Sequence, residues 1–156
     1  MSTVTIIESR HLDVPCDAVW DLIARYDLDP QWRRGVVSMA PSPPGPAVIG
    51  TTTVEEMRVG GRRYTNVGEV VDVVPGRAIR WRTVEGAAAR GSRAVVPDAG
   101  GSIVTLELHV TPHGFERVLA PVLARVLRRT VRGDLERLER LAAPHRQDAG
   151  SPASAR

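Results

Sequence analysis

The sequence predicts an α+β domain in which a curved antiparallel sheet of about seven strands wraps around a long C-terminal helix, with two short helices after the first strand. Three observations support this fold class. From Val36 onward, short segments of alternating apolar and polar residues are separated by turn residues, a pattern typical of antiparallel strands. In the last third of the chain, apolar residues recur with the 3.6-residue period of a long amphipathic helix. The chain of 156 residues has the usual length of one domain.

The first strand and the short helices precede Gly35. Val4–Leu12 alternates apolar and polar residues and predicts the strand, and Pro15 suits the first turn of a helix because its missing N–H is not needed there. The apolar positions that follow at helical spacing are Ala18, Val19, Leu22, Ile23 and Tyr26. A second short helical segment is predicted over Asp27–Trp32.

Six further strands are predicted, one before a proline-rich loop, Ala40–Gly50, and five after it as an antiparallel meander. Gly60-Gly61 and Pro75-Gly76 are turn signals between neighbouring strands, and Asp98–Gly101 separates the last two. The predicted strands are Val36–Met39, Thr51–Val59, Arg62–Val74, Arg77–Val84, Arg90–Val96 and Ser102–Thr111.

The last third is predicted to be one long helix with a single buried face, ending near Ala142. Pro121 is unfavourable inside a helix, so it predicts either a kink or a true start near Ala120. Residues 144–156 have no apolar periodicity and are expected to be a disordered tail. We therefore expect a single domain over residues 1–143.

Composition excludes several classes of function. The net charge is +3 and every basic residue is Arg, but few aromatic side chains accompany them, so nucleic-acid binding is not expected. The lone Cys16 excludes an internal disulfide framework, and no apolar run is long enough for a membrane span. Without a secretory leader, a cytoplasmic location is expected. No metal or other cofactor is predicted, because no paired metal-ligand spacing occurs among His11, His109, His113 and His145.

Several short motifs together carry a resemblance to a known superfamily. They are Leu12–Pro15, Ala18–Trp20, Pro30–Trp32, Val70–Pro75, Ile79–Trp81 and Asp134–Leu138. In order and spacing the chain resembles the START-like, or Bet v 1-like, helix-grip superfamily, and most of all its bacterial polyketide cyclase/dehydrase and lipid transport branch. The likeness spans residues 3 to about 143. It implies a hydrophobic ligand cavity between the sheet and the C-terminal helix, but no single reaction.

Strand pairing can be counted from the turns if Gly60-Gly61 and Pro75-Gly76 each form a two-residue turn and the last hairpin has an even loop of four residues, Asp98–Gly101. The predicted cross-strand pairs are Met57–Tyr64, Glu55–Asn66, Val70–Trp81, Asp72–Ile79, Val95–Val104 and Arg93–Leu106. Apolar residues dominate one side of these pairs, so that side is predicted to face the core. Its polar members are Glu55, Tyr64, Asn66, Thr83 and Arg93.

This inward polar set has two interpretations. As a functional site, Arg93 would stabilise an enolate oxygen while Tyr64 or Glu55 moves a proton. Alternatively, Glu55 and Arg93 lie near strand ends and reach solvent. The candidate ligand-binding residues are Trp32, Met57, Asn66, Trp81 and Thr83, with Leu119, Val122, Leu123 and Val126 on the long helix. On the opposite sheet face, Glu107 and His109 are expected to be surface residues rather than an acid–base couple.

Three classes of function remain open. The first is a protein that binds a hydrophobic small molecule such as a lipid or polyketide, as a monomer or weak homodimer. The second is an aromatase/cyclase-type enzyme acting on a bound poly-ketone. The third is a regulatory module that binds a partner through a stripe of arginines on the long helix, namely Arg125, Arg128, Arg129 and Arg132.

Overall fold

The computed structural model describes residues 2–143 and has the predicted order of elements. The strands are β1 Val4–Leu12, β2 Val36–Ser42, β3 Thr52–Val59, β4 Arg62–Val74, β5 Ala78–Glu85, β6 Ala89–Asp98 and β7 Gly101–Val110. The α-helices are α1 Cys16–Ile23, α2 Asp29–Trp32 and α3 Ala120–Ala142, with 3-10 helices at Tyr26–Leu28 and Gly114–Arg117. The predicted tail, residues 144–156, lies outside the described residues.

All seven strands form one antiparallel sheet in the order β1-β7-β6-β5-β4-β3-β2. The long helix α3 begins at Ala120 with Pro121 in its first turn, where proline costs no hydrogen bond. The predicted start near Ala120 is therefore correct. Within residues 2–143, no helix is both long and apolar enough to cross a lipid bilayer.

The register agrees with the count from the turns except around the β4–β5 turn. Val74 pairs with Ala78, so three residues rather than two lie in this turn, and Asp72 pairs with Arg80. The predicted pairing of Asp72 with Ile79 is wrong for this reason. A register shift between Val70 and Asp72 absorbs the extra residue. Val70 consequently still pairs with Trp81.

The main core lies where α1, α2 and the C-terminal half of α3 pack on the concave face of the sheet. Trp32, Leu138 and Val104 are all at most 1% exposed there. The buried residues of α3 all lie in its C-terminal half: Val131, Asp134, Leu135, Leu138 and Ala142. No residue of the N-terminal half of α3 is fully buried, so much of that half is exposed to solvent.

Candidate functional site

One side of α3 packs against β1, and the opposite side faces the middle strands of the sheet. Arg128 and Arg132 place their Nε atoms 3.4 and 3.0 Å from the carboxylate of Glu8, which anchors one side of the helix over β1. At 100° per residue, Leu119 and Val126 lie on roughly the opposite side of the helix. That side points across the sheet toward β5, β4 and β3.

Apolar side chains on this side of α3 are left without partners. Leu119 is 58% exposed, Val122 is 59% exposed and Val126 is 48% exposed, whereas Leu123 is partly buried. Ala120, Ala124 and Leu127 instead pack against a cluster built on Val4, Ile6 and Val131. The first half of α3 thus rests on the β1–β7 side of the sheet and leaves the β3–β5 side uncovered.

The floor opposite these side chains is the concave face of β3, β4 and β5. Trp81 pairs with the buried Val70 and therefore lies on the same face. Tyr64 pairs with Met57 on this face and is 48% exposed. The sheet and α3 accordingly form an open groove, where the sequence led us to expect a cavity. We call this space the groove.

Gly91 shapes the groove floor. A Cβ atom at this position would lie 2.7 Å from the ring of Trp81 and 2.2 Å from the carbonyl oxygen of Glu107. Because Gly91 pairs with Trp81 across β5 and β6, its missing side chain makes room for the indole ring against the sheet. A glycine on β6 therefore determines where the large aromatic side chain of the groove lies.

Asn66 and Thr83, both predicted to contact ligand, hold the turn between β5 and β6. Asn66 accepts a hydrogen bond from the amide of Ala87 at 3.0 Å, and the Thr83 hydroxyl donates to the carbonyl oxygen of Ala87 at 2.5 Å. The Thr83 oxygen also accepts from the amide of Ala89 at 2.9 Å. These bonds leave the two side chains little capacity to orient a ligand.

Arg93 is buried beneath α2 and forms a bidentate pair with Asp29. Its guanidinium donates to the two carboxylate oxygens of Asp29 at 2.8 and 2.5 Å, and to the carbonyl oxygen of Ile23 at 3.1 Å. Arg93 is only 4% exposed and Asp29 is fully buried. The alternative in which Arg93 reaches solvent is therefore wrong. Burial by itself lowers the pKa of Arg93, but the charge and the hydrogen bonds of Asp29 more than offset this and raise it.

Arg33 extends this pair into a chain of four charges. Its Nη1 atom lies 3.0 Å from Asp29 Oδ2 and 3.3 Å from Glu55 Oε2. The side chains of Arg33 and Glu55 are 23% and 14% exposed, so Glu55 also does not reach far into solvent. Burial opposes the charge of Arg33, but Glu55 and Asp29 outweigh it and raise its pKa. Arg93, Asp29, Arg33 and Glu55 thus form a charge-balanced chain from the core toward the groove.

Two aromatic rings enclose the inner end of this chain. The guanidinium carbon of Arg93 lies 4.0 Å from the centroid of the Tyr26 ring and 5.2 Å from that of Trp32. Trp32 is 1% exposed, so it packs in the core instead of lining the open groove as predicted. Burial raises the pKa of Tyr26, and its hydroxyl stays protonated at neutral pH. Within residues 2–143, neither the Tyr26 hydroxyl nor Trp32 Nε1 has a hydrogen-bond partner.

The three candidate catalytic residues are not brought together as a reacting group. Arg93 and Glu55 are linked only through Asp29 and Arg33, and both have their charges neutralised there. Tyr64 lies farther out on the groove floor. Sequence reasoning missed Asp29 and Arg33. The one available signal was that an inward Arg93 needs a buried acidic partner, which does not say where in the sequence that acid lies.

The convex face of the sheet carries Glu107 and His109, which were expected to be surface residues. His109 Nε2 lies 2.5 Å from Glu107 Oε1, and the Thr5 hydroxyl is 3.0 Å from His109 Nδ1. These side chains lie on the sheet face opposite the groove. A separate cleft of 390 Å³ lies beside α1 and the proline-rich loop, lined by Trp20, Asp21, Leu22, Ala24, Arg25, Leu28 and Pro46.

The architecture defines the class of protein. A seven-stranded antiparallel sheet that curves around one long C-terminal helix is the helix-grip fold of START and Bet v 1-like proteins. The sequence profile of the family described as polyketide cyclase / dehydrase and lipid transport matches residues 3–143. The chain therefore belongs to this family, as the resemblance in the sequence indicated.

Solved structures agree in fold at low sequence identity. The Zhui aromatase/cyclase from Streptomyces sp. R1128 superposes with a TM-score of 0.80 at 16% identity, covering 97% of this chain and 100% of that one. A START superfamily protein from Mycobacterium smegmatis gives 0.72 at 11% identity, covering 90% and 97%. The di-domain aromatase/cyclase StfQ of the steffimycin pathway gives 0.77 at 15% identity over 93% of this chain, which spans only 52% of StfQ. No curated protein matches the sequence.

Proposed function

We propose that the protein binds a hydrophobic small molecule, such as a lipid or a polyketide, in the groove between the first half of α3 and the concave face of the sheet. The observation that carries this proposal is the apolar surface left unpaired on α3, where Leu119, Val122 and Val126 are each about half exposed. A helix of a single domain normally buries its apolar face. Here a ligand would complete the burial that the chain itself does not.

The chemistry of the lining favours a ligand that is apolar over most of its length. Trp81 and Met57 on the floor and Leu123 on the helix offer apolar contact, while the polar groups of Asn66 and Thr83 are occupied. The partly exposed Arg33 is the one cation of the charge chain that a ligand oxygen can approach. This supports a mainly apolar ligand with one or two oxygen atoms at its inner end.

Binding is better supported than catalysis because Arg93 is not free to stabilise an enolate. It is 4% exposed, and its Nη1 and Nη2 atoms donate to Asp29 and to the Ile23 carbonyl. An oxyanion stabiliser needs donors directed at the reacting oxygen. Arg93 instead supports the position of α2 at the inner end of the groove.

A fluorescence titration with 1-anilinonaphthalene-8-sulfonate tests the proposed site. Val126→Asp introduces a charge into the groove, and Val96→Asp is its matched control, because Val96 is 47% exposed on the convex face of β6 and Val126 is 48% exposed. We expect Val126→Asp to weaken probe binding at least about tenfold, or about 1.4 kcal/mol, and Val96→Asp to leave it unchanged. Equal affinities in both variants would place the probe elsewhere and contradict the proposal.

A cyclase is the second candidate because the half-exposed Tyr64 on the groove floor carries a hydroxyl, and the fold neighbours include aromatase/cyclases. If the protein turns over a poly-ketone thioester, Tyr64→Phe should reduce kcat at least about a hundredfold by removing the proton donor. If the protein only binds, the same variant leaves probe affinity within about twofold and no cyclised product forms with either protein.

A further inference from the structure

An exposed apolar tip precedes the long helix. It consists of Phe115, which is 92% exposed, and Val118, which is 78% exposed. Phe115 is the single phenylalanine of the sequence, and it lies in the 3-10 helix Gly114–Arg117 rather than in a core. Since burial of a Phe or Val side chain is worth a few kcal/mol, exposure of both at one end of the molecule indicates a surface that is covered by something else.

Positive charge follows the apolar tip along the first half of α3. Residues 114–133 contain five arginines and a single acid, Glu116. Glu116 lies 3.5 Å from the amide of His113, and Arg128 and Arg132 are directed to Glu8. Arg117, Arg125 and Arg129 are exposed and have no acidic partner within residues 2–143. These three arginines, which we call the free arginines, remain available to an external anion.

We propose that the apolar tip and the free arginines dock the protein on an anionic lipid bilayer. The two apolar side chains would enter the boundary between headgroups and acyl chains, while the arginines contact lipid phosphates in the headgroup layer. Apolar residues beside a basic helix face are the pattern of interfacial membrane binding. A second copy of the chain fits this surface poorly, because a symmetric contact would bring the arginines of both copies together.

This inference goes beyond the proposed function and does not depend on it. Val118 directly precedes Leu119, so the apolar tip lies beside one end of the groove. Docking at the tip would therefore bring that end of the groove next to the bilayer. Neither Phe115 nor Val118 lines the groove, so the two proposals can fail separately.

Co-sedimentation with vesicles tests the docking surface. The full-length protein is mixed with vesicles of phosphatidylcholine alone, or with an added third of phosphatidylglycerol, at low and at high salt. We expect pelleting only with the anionic vesicles and its loss at high salt. Each arginine near such a surface contributes a factor of about five, so Arg125→Gln with Arg129→Gln should lower the partition coefficient about 25-fold. The pair Phe115→Ser and Val118→Ser should abolish pelleting.

Matched controls separate docking from general charge and folding effects. Arg80→Gln with Arg90→Gln makes the same charge change on exposed residues of the convex face, and Val84→Ser removes an exposed apolar side chain there. Both controls should pellet like the wild type, and all variants should keep wild-type thermal unfolding. Absence of pelleting by the wild type, or equal losses in the test and control variants, overturns the proposal. Binding of an acidic protein but not of anionic vesicles would also overturn it.

Discussion

Asp29 offers the sharpest test of how the inner end of the groove is held together. In Asp29→Asn the side chain keeps its shape, but its amide nitrogen would face a guanidinium N–H of Arg93, 2.5 to 2.8 Å from the original oxygens. Arg93, which is 4% exposed, would then be a buried charge without a counterion. Removal of one partner from a buried ion pair costs about 3–5 kcal/mol. This is a large share of the roughly 5–15 kcal/mol that stabilises a typical domain.

The assay is urea unfolding at pH 7, followed by tryptophan fluorescence and far-UV circular dichroism. A double-mutant cycle of Asp29→Leu and Arg93→Met supplies the control, because its double variant replaces both charges by apolar groups. We expect Asp29→Asn alone to lower the free energy of unfolding by about 3–5 kcal/mol, and the apolar double variant to recover most of that loss. A loss below about 1 kcal/mol in Asp29→Asn, or additive effects in the cycle, would refute a coupled buried pair.

Three further predictions concern the sheet and α3. Gly91→Ala should lower the free energy of unfolding by about 1–3 kcal/mol in a urea titration. The reason is that its Cβ would lie 2.7 Å from the Trp81 ring and 2.2 Å from a β7 carbonyl oxygen. Unchanged stability would contradict this close packing. Burial raises the pKa of the Asp134 carboxyl in the folded state, so the folded state takes up this proton at higher pH than the unfolded chain. The free energy of unfolding of the wild type, measured in urea, should therefore rise relative to that of Asp134→Asn as the pH falls from 7 toward 4. A fall over this pH range would contradict a raised pKa of Asp134. The Glu69–Arg82 pair is partly exposed, and a double-mutant cycle should give a coupling of about 0.2–1 kcal/mol that decreases with added salt.

The element order was predictable because it depends on local patterns. Alternation and helical periodicity act over a few residues, and the glycine turns define where neighbouring strands reverse. The pairing of Val70 with Trp81 was correct, although the turn at Pro75 is one residue longer than expected and a bulge restores the register. Such compensation between a turn and a bulge is invisible in the sequence, which is why the pair between Asp72 and Ile79 was predicted wrongly.

The candidate site was predictable only in part. The inward orientation of Arg93 followed from the parity of the strands, and its burial agrees with that orientation. Its partner did not follow, because Asp29 lies 64 residues away in the sequence and meets Arg93 only in the folded core. The place of Trp32 was also undetermined, since a short helix can direct an indole ring toward a groove or into the core.

The sequence by itself determined the fold class, the family and the inward orientation of residues such as Val70, Trp81 and Arg93, because hydrophobic periodicity and short turns encode them locally. Only the tertiary structure decided that the buried charges neutralise one another through Asp29 and Arg33. It also decided that the first half of α3 leaves Leu119 and Val122 exposed beside an open groove. Both outcomes depend on how far a helix extends over the sheet and on contacts between residues distant in sequence, which no local pattern specifies.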